Sequence, residues 1–218
     1  MRRARWAAPV LAATLYYMGR PSKYDADDVL DVAAELVDAG GPAAPTISGV
    51  ADRLGAPSGS IYHRFRSRDV VAASLWLRTV QRFQESWLVA VDHPDPRAAT
   101  RAAAAHVLGW SRRHRSEAAL LLLHRSSDLL TADWPPELVE HNERLRAQFE
   151  QGLAELSRRL GAVTPAEHRR VRFAVVDIPY GAVRAPLAAG KAPEPELDEI
   201  VDDAVVAVID RISTGTKP

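Results

Sequence analysis

The chain has 218 residues, 47% hydrophobic and 26% charged, which suits one large or two modest globular domains and excludes a disordered profile. Basic and acidic residues number 28 each, so a nucleic-acid partner has to be argued from local charge and not from the total. The absence of cysteine excludes disulfides, thiolate catalysis and thiolate-held zinc, and a cytoplasmic location is expected.

Met1 to Tyr17 join an RRAR start to an apolar run of about a dozen residues, short of the ~20 that span a bilayer. Pro9 interrupts it, and Met18 makes a natural domain start. Residues 1–19 are expected to be an N-terminal extension without fixed structure, not a working signal. No later stretch reaches spanning length, and no membrane partner is expected. Arg20 and Lys23 form a short basic arm that either follows phosphates or stays solvated.

A first helix is expected from Asp25, which can cap exposed backbone N–H groups. Val29, Val32, Ala33, Leu36 and Val37 give it one apolar stripe, and Gly40-Gly41-Pro42 stops it. Thr46 sits at an N-cap, and the second helix runs to Leu54 with Val50, Ala51 and Leu54 inward. Gly49 costs that helix ~1 kcal/mol relative to alanine. Gly55 is its C-cap, and Ala56-Pro57 completes a tight turn. The third helix runs from Ser58 to about Phe65, with Ile61 and Phe65 facing in. A longer helix opens at Ser67, where Trp76, Val80, Phe83, Trp87 and Val91 form a sustained stripe, and His93-Pro94-Asp95-Pro96 breaks it.

Beyond this point every segment reads as helix. An alanine-rich segment spans Arg97 to His114, followed by a buried run from Ala118 to Leu123. Ser126 to Pro136 reads as a loop, and a clean amphipathic helix covers Pro136 to Leu160. Thr164-Pro165 starts the next helix, in which Pro179 is expected to force a kink and Pro186 and Gly190 to Pro195 an end. The last helix carries Leu197, Ile200, Val201, Ala204, Val205, Val208, Ile209 and Ile212 and is apolar over more than one face.

The short helix, tight turn and second short helix of Thr46 to Val71 have the grammar of a helix-turn-helix reader of double-stranded DNA. Between Thr46 and Arg68 stand four arginines against one aspartate, whereas Asp25 to Asp38 hold six acids and no base. The neutral chain is therefore locally polarised, as phosphate steering requires. Arg64 has the planar fork suited to bidentate guanine recognition. No catalytic or metal motif is found: there is no Gly-rich phosphate loop, no G-x-S-x-G and no H-E-x-x-H. His124 and Asp128 share a helix face, but two residues do not make a metal site. Neither enzyme activity nor a cofactor is expected.

Gly55 to Phe65, followed by Ser67-Arg68-Asp69, resembles the DNA-binding domain of the TetR family of transcriptional regulators, and Val50-Ala51 matches that family's small apolar pair. The resemblance covers about Arg20 to Ala73. It departs from the family pattern at Gly49, at Ser58, where a basic residue is frequent, and at Arg68, which replaces the usual lysine. It implies phosphate contacts from Thr46, Tyr62 and Arg68, and a groove-facing surface of Ser58, Gly59, Ser60, His63 and Arg64. It also implies an all-α chain in which a three-helix helix-turn-helix domain, residues 20–70, precedes a larger helical ligand-binding and dimerisation domain, residues 71–212. A flexible tail, 213–218, completes the chain. The implied partners are an operator duplex, a small-molecule effector, and a second copy docked through the last two helices. Residues that could line an effector pocket are Trp87, His106, Trp110, Arg125, Asp128, Trp134, Phe149, Arg172 and Tyr180. The implied function is that of a ligand-responsive regulator, most simply a repressor. The alternatives are a helical small-molecule binder and an architectural DNA binder without ligand control.

Overall fold

Capping and stop signals decide where several of the helices begin and end. The structure, a computed structural model, describes residues 24–41, 43–123 and 134–212. The extension 1–19, Arg20, Lys23, His124, Arg125, Asp128 and the tail 213–218 lie outside the described residues. All regular elements among the described residues are helical.

Helix α1 (Ala26–Gly40) starts with a capping box. Asp28 donates its N–H to Asp25 Oδ1 at 2.9 Å, and Asp25 donates its own to Asp28 Oδ2 at 2.8 Å, so two orphan donors are satisfied reciprocally. Helix α2 (Ile47–Leu54) is followed by Gly55 in the left-handed region at φ 61°, as its place after the helix demands. Helix α3 (Ser58–Arg64) comes next. Ser67 Oγ then accepts the Val70 N–H at 3.2 Å and opens α4 (Arg68–Val91). At 24 residues and 1.5 Å per residue, α4 is about 36 Å long and reaches from the first cluster of helices into the second.

The second cluster comprises α5 (Pro96–Arg113), α6 (Arg115–Leu123), α7 (Pro136–Arg159), α8 (Pro165–Arg172), a π-helical turn (Phe173–Asp177), α9 (Ile178–Ala188) and α10 (Leu197–Ile209). Helix α5 runs through its middle. Ala99, Ala103 and Ala104 are essentially buried, and these small side chains let the neighbouring helices approach closely. Around it Trp87, Leu108, Trp110, Leu156, Val175, Val183, Val205 and Ile209 form one apolar core. On its outer side Arg101 and Arg112 pair with Asp202 and Asp198 of α10, and Arg97 with Asp210 at its C-terminal end. These half-exposed pairs add little energy each, but they fix which face of α10 meets α5.

A second core joins α1, α2, α3 and the start of α4 through Val29, Ala33, Val50, Ala51, Ile61, Phe65 and Val71. Leu120 of α6 is buried in that same cluster. The two groups of helices are therefore tied by α6 as well as by the continuous α4. Helix α6 was legible only as a buried run, with no hint of which core it joins.

One proline expectation is sharpened and one needs correction. At Pro179, where a kink was expected, the helix departs from α geometry: the Ile178 N–H bonds to the Phe173 carbonyl, five residues back, so a π-turn precedes Pro179 and leaves it in the first turn of α9. There its missing N–H is tolerated. Pro186 was expected to end the helix, but it lies inside α9, which continues to Ala188.

Candidate nucleic-acid interface

The exposed surface of α2 and α3 follows from which side chains the first core takes. Ile61 is 2% exposed and Phe65 6%, and their spacing turns the rest of α3 outward. Ser58, Gly59, Ser60, Tyr62, His63 and Arg64 are all exposed, Tyr62 at 55%. At the start of α2, Thr46 Oγ1 accepts the Gly49 N–H at 3.0 Å. A Cβ at Gly49 would lie 3.0 Å from that oxygen, so the glycine that looked only costly in the sequence gives the cap its room. Ser48 Oγ lies 3.3 Å from Thr46 Oγ1 and adds a second hydroxyl at this helix end. The Thr-x-Ser spacing was the available signal for it, and the sequence reading passed it over. Arg68 and Arg66 are exposed at the start of α4 and just before it.

The charge pattern is organised differently from its appearance in the sequence. Arg53 donates to Glu35 of α1 through Nε at 3.3 Å and Nη2 at 3.1 Å, so it is held away from the α3 surface. Among the described residues, the positive charge beside the outer face of α3 then comes from Arg64, Arg66 and Arg68. The acidic run of α1 is used in contacts between helices. Asp25 and Asp28 form the cap, Asp27 and Asp31 hold Arg78 of α4, and Asp38 accepts from Ser116 of α6.

Seven of the nine residues named for an effector pocket lie among the described residues. His106 and Trp110 both meet Phe83 edge-on, with ring centroids 5.1 Å apart in each case. Trp87 is buried against Phe149 at 4.9 Å, and Arg172 reaches Phe149 and pairs with Glu150 at 2.8 Å. Trp134 and Tyr180 are half-buried at the approach to α7 and on α9, and Arg125 and Asp128 lie outside the described residues. A small open cleft between α1, α4 and α6 is lined by Ala34, Val37, Leu75, Thr79 and Leu120, with Ser116 and Glu117 beside them. None of the seven described candidates lines it.

His106 is the one strongly perturbed group among the described residues. Burial, with the nearby charges of Arg113 and His114, lowers its pKa from 6.5 to about 4. Its Nε2 lies 2.8 Å from Ser86 Oγ. The Ser86 hydroxyl is positioned to donate to the carbonyls of Arg82 and Phe83, which assigns the imidazole proton to Nε2. Below pH 6.5 the unfolded chain takes up a proton that the folded chain refuses until about pH 4. Stability from this group is therefore lost as pH falls through that window and is flat beneath it. Thermal melts at about pH 7.5 and about pH 5 are expected to show a smaller difference in Tm for His106→Gln than for the parent chain. An unchanged difference would refute the assignment.

Comparison with known proteins places this geometry. Residues 29–75 match the family model for bacterial regulatory proteins, tetR family. A putative tetR family transcription regulator from Shewanella sp. PV-4 superposes with a TM-score of 0.63 at 17% identity, covering 84% of this chain and 95% of that one. A TetR transcription regulator from Haloarcula marismortui gives 0.63 at 18% identity, covering 86% and 97%. The transcriptional regulator FadR from Bacillus subtilis, in complex with stearoyl-CoA, gives 0.60 at 12% identity, covering 88% and 100%. At these identities the likeness is one of fold. No curated protein matches the sequence.

Proposed function

The chain is a TetR-family transcriptional regulator by its residues 29–75, and on that premise we propose that it is a homodimeric, effector-controlled repressor of a near-palindromic operator. The observation that carries the reading is the outward face of α3. Six exposed residues there, Ser58 to Ser60 and Tyr62 to Arg64, contribute nothing to the core, while Ile61 and Phe65 anchor the helix beneath them. In this reading the α3 helices of two copies enter successive major grooves. Arg64 and His63 face base edges, and Thr46, Tyr62 and Arg68 contact phosphates.

The dimer reading rests on residues 165–188 and 195–212. Phe173 and Ile200 are large apolar side chains exposed at 50% and 61%. Between them α9 turns Gly181, Ala185 and Ala188 outward, and α10 turns Ala207 outward, which lets helices from a second copy approach closely. Arg184 on α9 and Asp203 on α10 are exposed and make no ion pair with any described residue. A two-fold axis would offer each the other's charge. For the effector, the support is the stearoyl-CoA complex of the similarly folded FadR and the joining of both cores through α4 and Leu120. An effector that favours one arrangement of those helices weakens operator binding, and the operator weakens effector binding by the same factor.

The test is binding of the pure protein to duplexes it enriches from a random-sequence pool. The expected complex holds two chains per duplex and weakens steeply with salt. Tyr62→Phe combined with Arg64→Ala is expected to lower affinity on the order of 100-fold, from one lost phosphate bond and one lost bidentate base contact. Unchanged affinity would remove these residues from the interface.

A further inference from the structure

Helix α3 is poorly held by its own sequence. It has seven residues, no side-chain cap at Pro57 and a single buried residue, Ile61, and a helix this short is unstable alone. Whatever fixes its two ends therefore controls how accurately its outer face is aimed. One residue outside the helix-turn-helix touches both approaches. Tyr24 donates its hydroxyl to the carbonyl of Gly55, in the turn that leads into α3, at 3.5 Å. Its own carbonyl accepts from Nη2 of Arg64, the last residue of α3, at 3.4 Å.

Tyr24 is itself anchored. The Asp25 N–H that follows it is bound in the capping box to Asp28 Oδ2 at 2.8 Å, which orients the Tyr24–Asp25 peptide. Arg78 of α4 donates to the Asp27 carbonyl at 3.4 Å and pairs with Asp31 at 2.8 Å, which holds the first turn of α1 against α4. We propose that Tyr24 is a positioning residue for DNA reading, spanning α3 from its entry turn to its last residue and setting the aim of that helix from the anchored start of α1. Both bonds are long, so each is weak singly. Their effect lies in geometry, because a shift of a short recognition helix misplaces its base contacts, which carry the sequence information, while the phosphate contacts assigned to Thr46 and Arg68 lie outside that helix.

This rests on the DNA-reading function above, and the test separates the two. The full chain is offered duplexes enriched from a random pool and, in parallel, a scrambled duplex of equal length and composition. Tyr24→Phe removes only the hydroxyl, and is expected to lower affinity for the enriched duplex about fivefold. Tyr24→Leu, which also removes the ring, is expected to lower it about tenfold or more. Affinity for the scrambled duplex, the salt slope and the melting temperature of Tyr24→Phe should stay at parental values. A parallel loss on both duplexes, or loss only in Tyr24→Leu together with a fallen melting temperature, would make Tyr24 a packing residue and overturn the proposal. Unchanged affinity in both variants would also overturn it. A pool in which the parent enriches nothing would overturn the DNA reading itself, and the proposal with it.

Discussion

Gly59→Leu is expected to abolish operator binding without destabilising the protein. Gly59 lies in the first turn of α3, is exposed, and an added Cβ there would meet no protein atom within 4 Å. The fold does not require glycine at this position, and helix propensity disfavours it by up to about 1 kcal/mol relative to most residues. A larger side chain should therefore leave thermal stability unchanged or slightly raised. On DNA the same side chain would occupy the space through which the first turn approaches the bases. Loss of a well-fitted base contact costs ~1–3 kcal/mol, and displacement of the helix removes more than one. A fall in affinity on the order of 100-fold or more is expected, read by titration of the enriched duplex beside a thermal melt. Retained affinity would show that the first turn of α3 does not approach DNA closely. A fallen melting temperature would show that the glycine serves the fold.

Gly181→Trp is expected to convert the protein to a monomer and thereby to disable it. Gly181 is exposed in α9, and a Cβ there would also meet nothing within 4 Å. The isolated chain is therefore expected to accommodate a side chain at this place. The face it shares with Ala185, Ala188 and Arg184 is the one proposed to meet the second copy, where a close helix approach leaves no room for an indole. Sedimentation at micromolar concentration should report a monomer with an unchanged helical spectrum. Binding to a two-half-site duplex should fall by about 10² or more, because linkage of the two readers is lost. A variant that remains dimeric would place the interface elsewhere.

The two predictions draw on different kinds of legibility. The helix-turn-helix could be read directly because its signals are local. A cap hydroxyl at Thr46, a left-handed glycine at Gly55 and an inward pair at Ile61 and Phe65 each act within one helical turn, and the structure has each in place. The helix boundaries of α4, α5, α7 and α10 followed for the same reason, from caps and periodicity. The effector candidates were not legible in this way. Aromatic and polar residues in amphipathic helices carry no local mark that separates a pocket lining from a core. Trp87 and Trp110 are buried in the second core, whereas Arg172 is occupied at the surface by Glu150.

Sequence by itself determined the all-helical class, the order of the helices and the outward face of α3, because these depend on periodicity and on caps a few residues apart. Tertiary structure alone decided that the α1 acids hold Arg53, Arg78 and Ser116, that Leu120 belongs to the first core, and that Tyr24 reaches both Gly55 and Arg64. It also decided that Pro179 is accommodated by a π-turn. The hydrogen-bonded contacts among these join residues 18 to 78 positions apart, where no period links the partners and only the packing of whole helices brings them together.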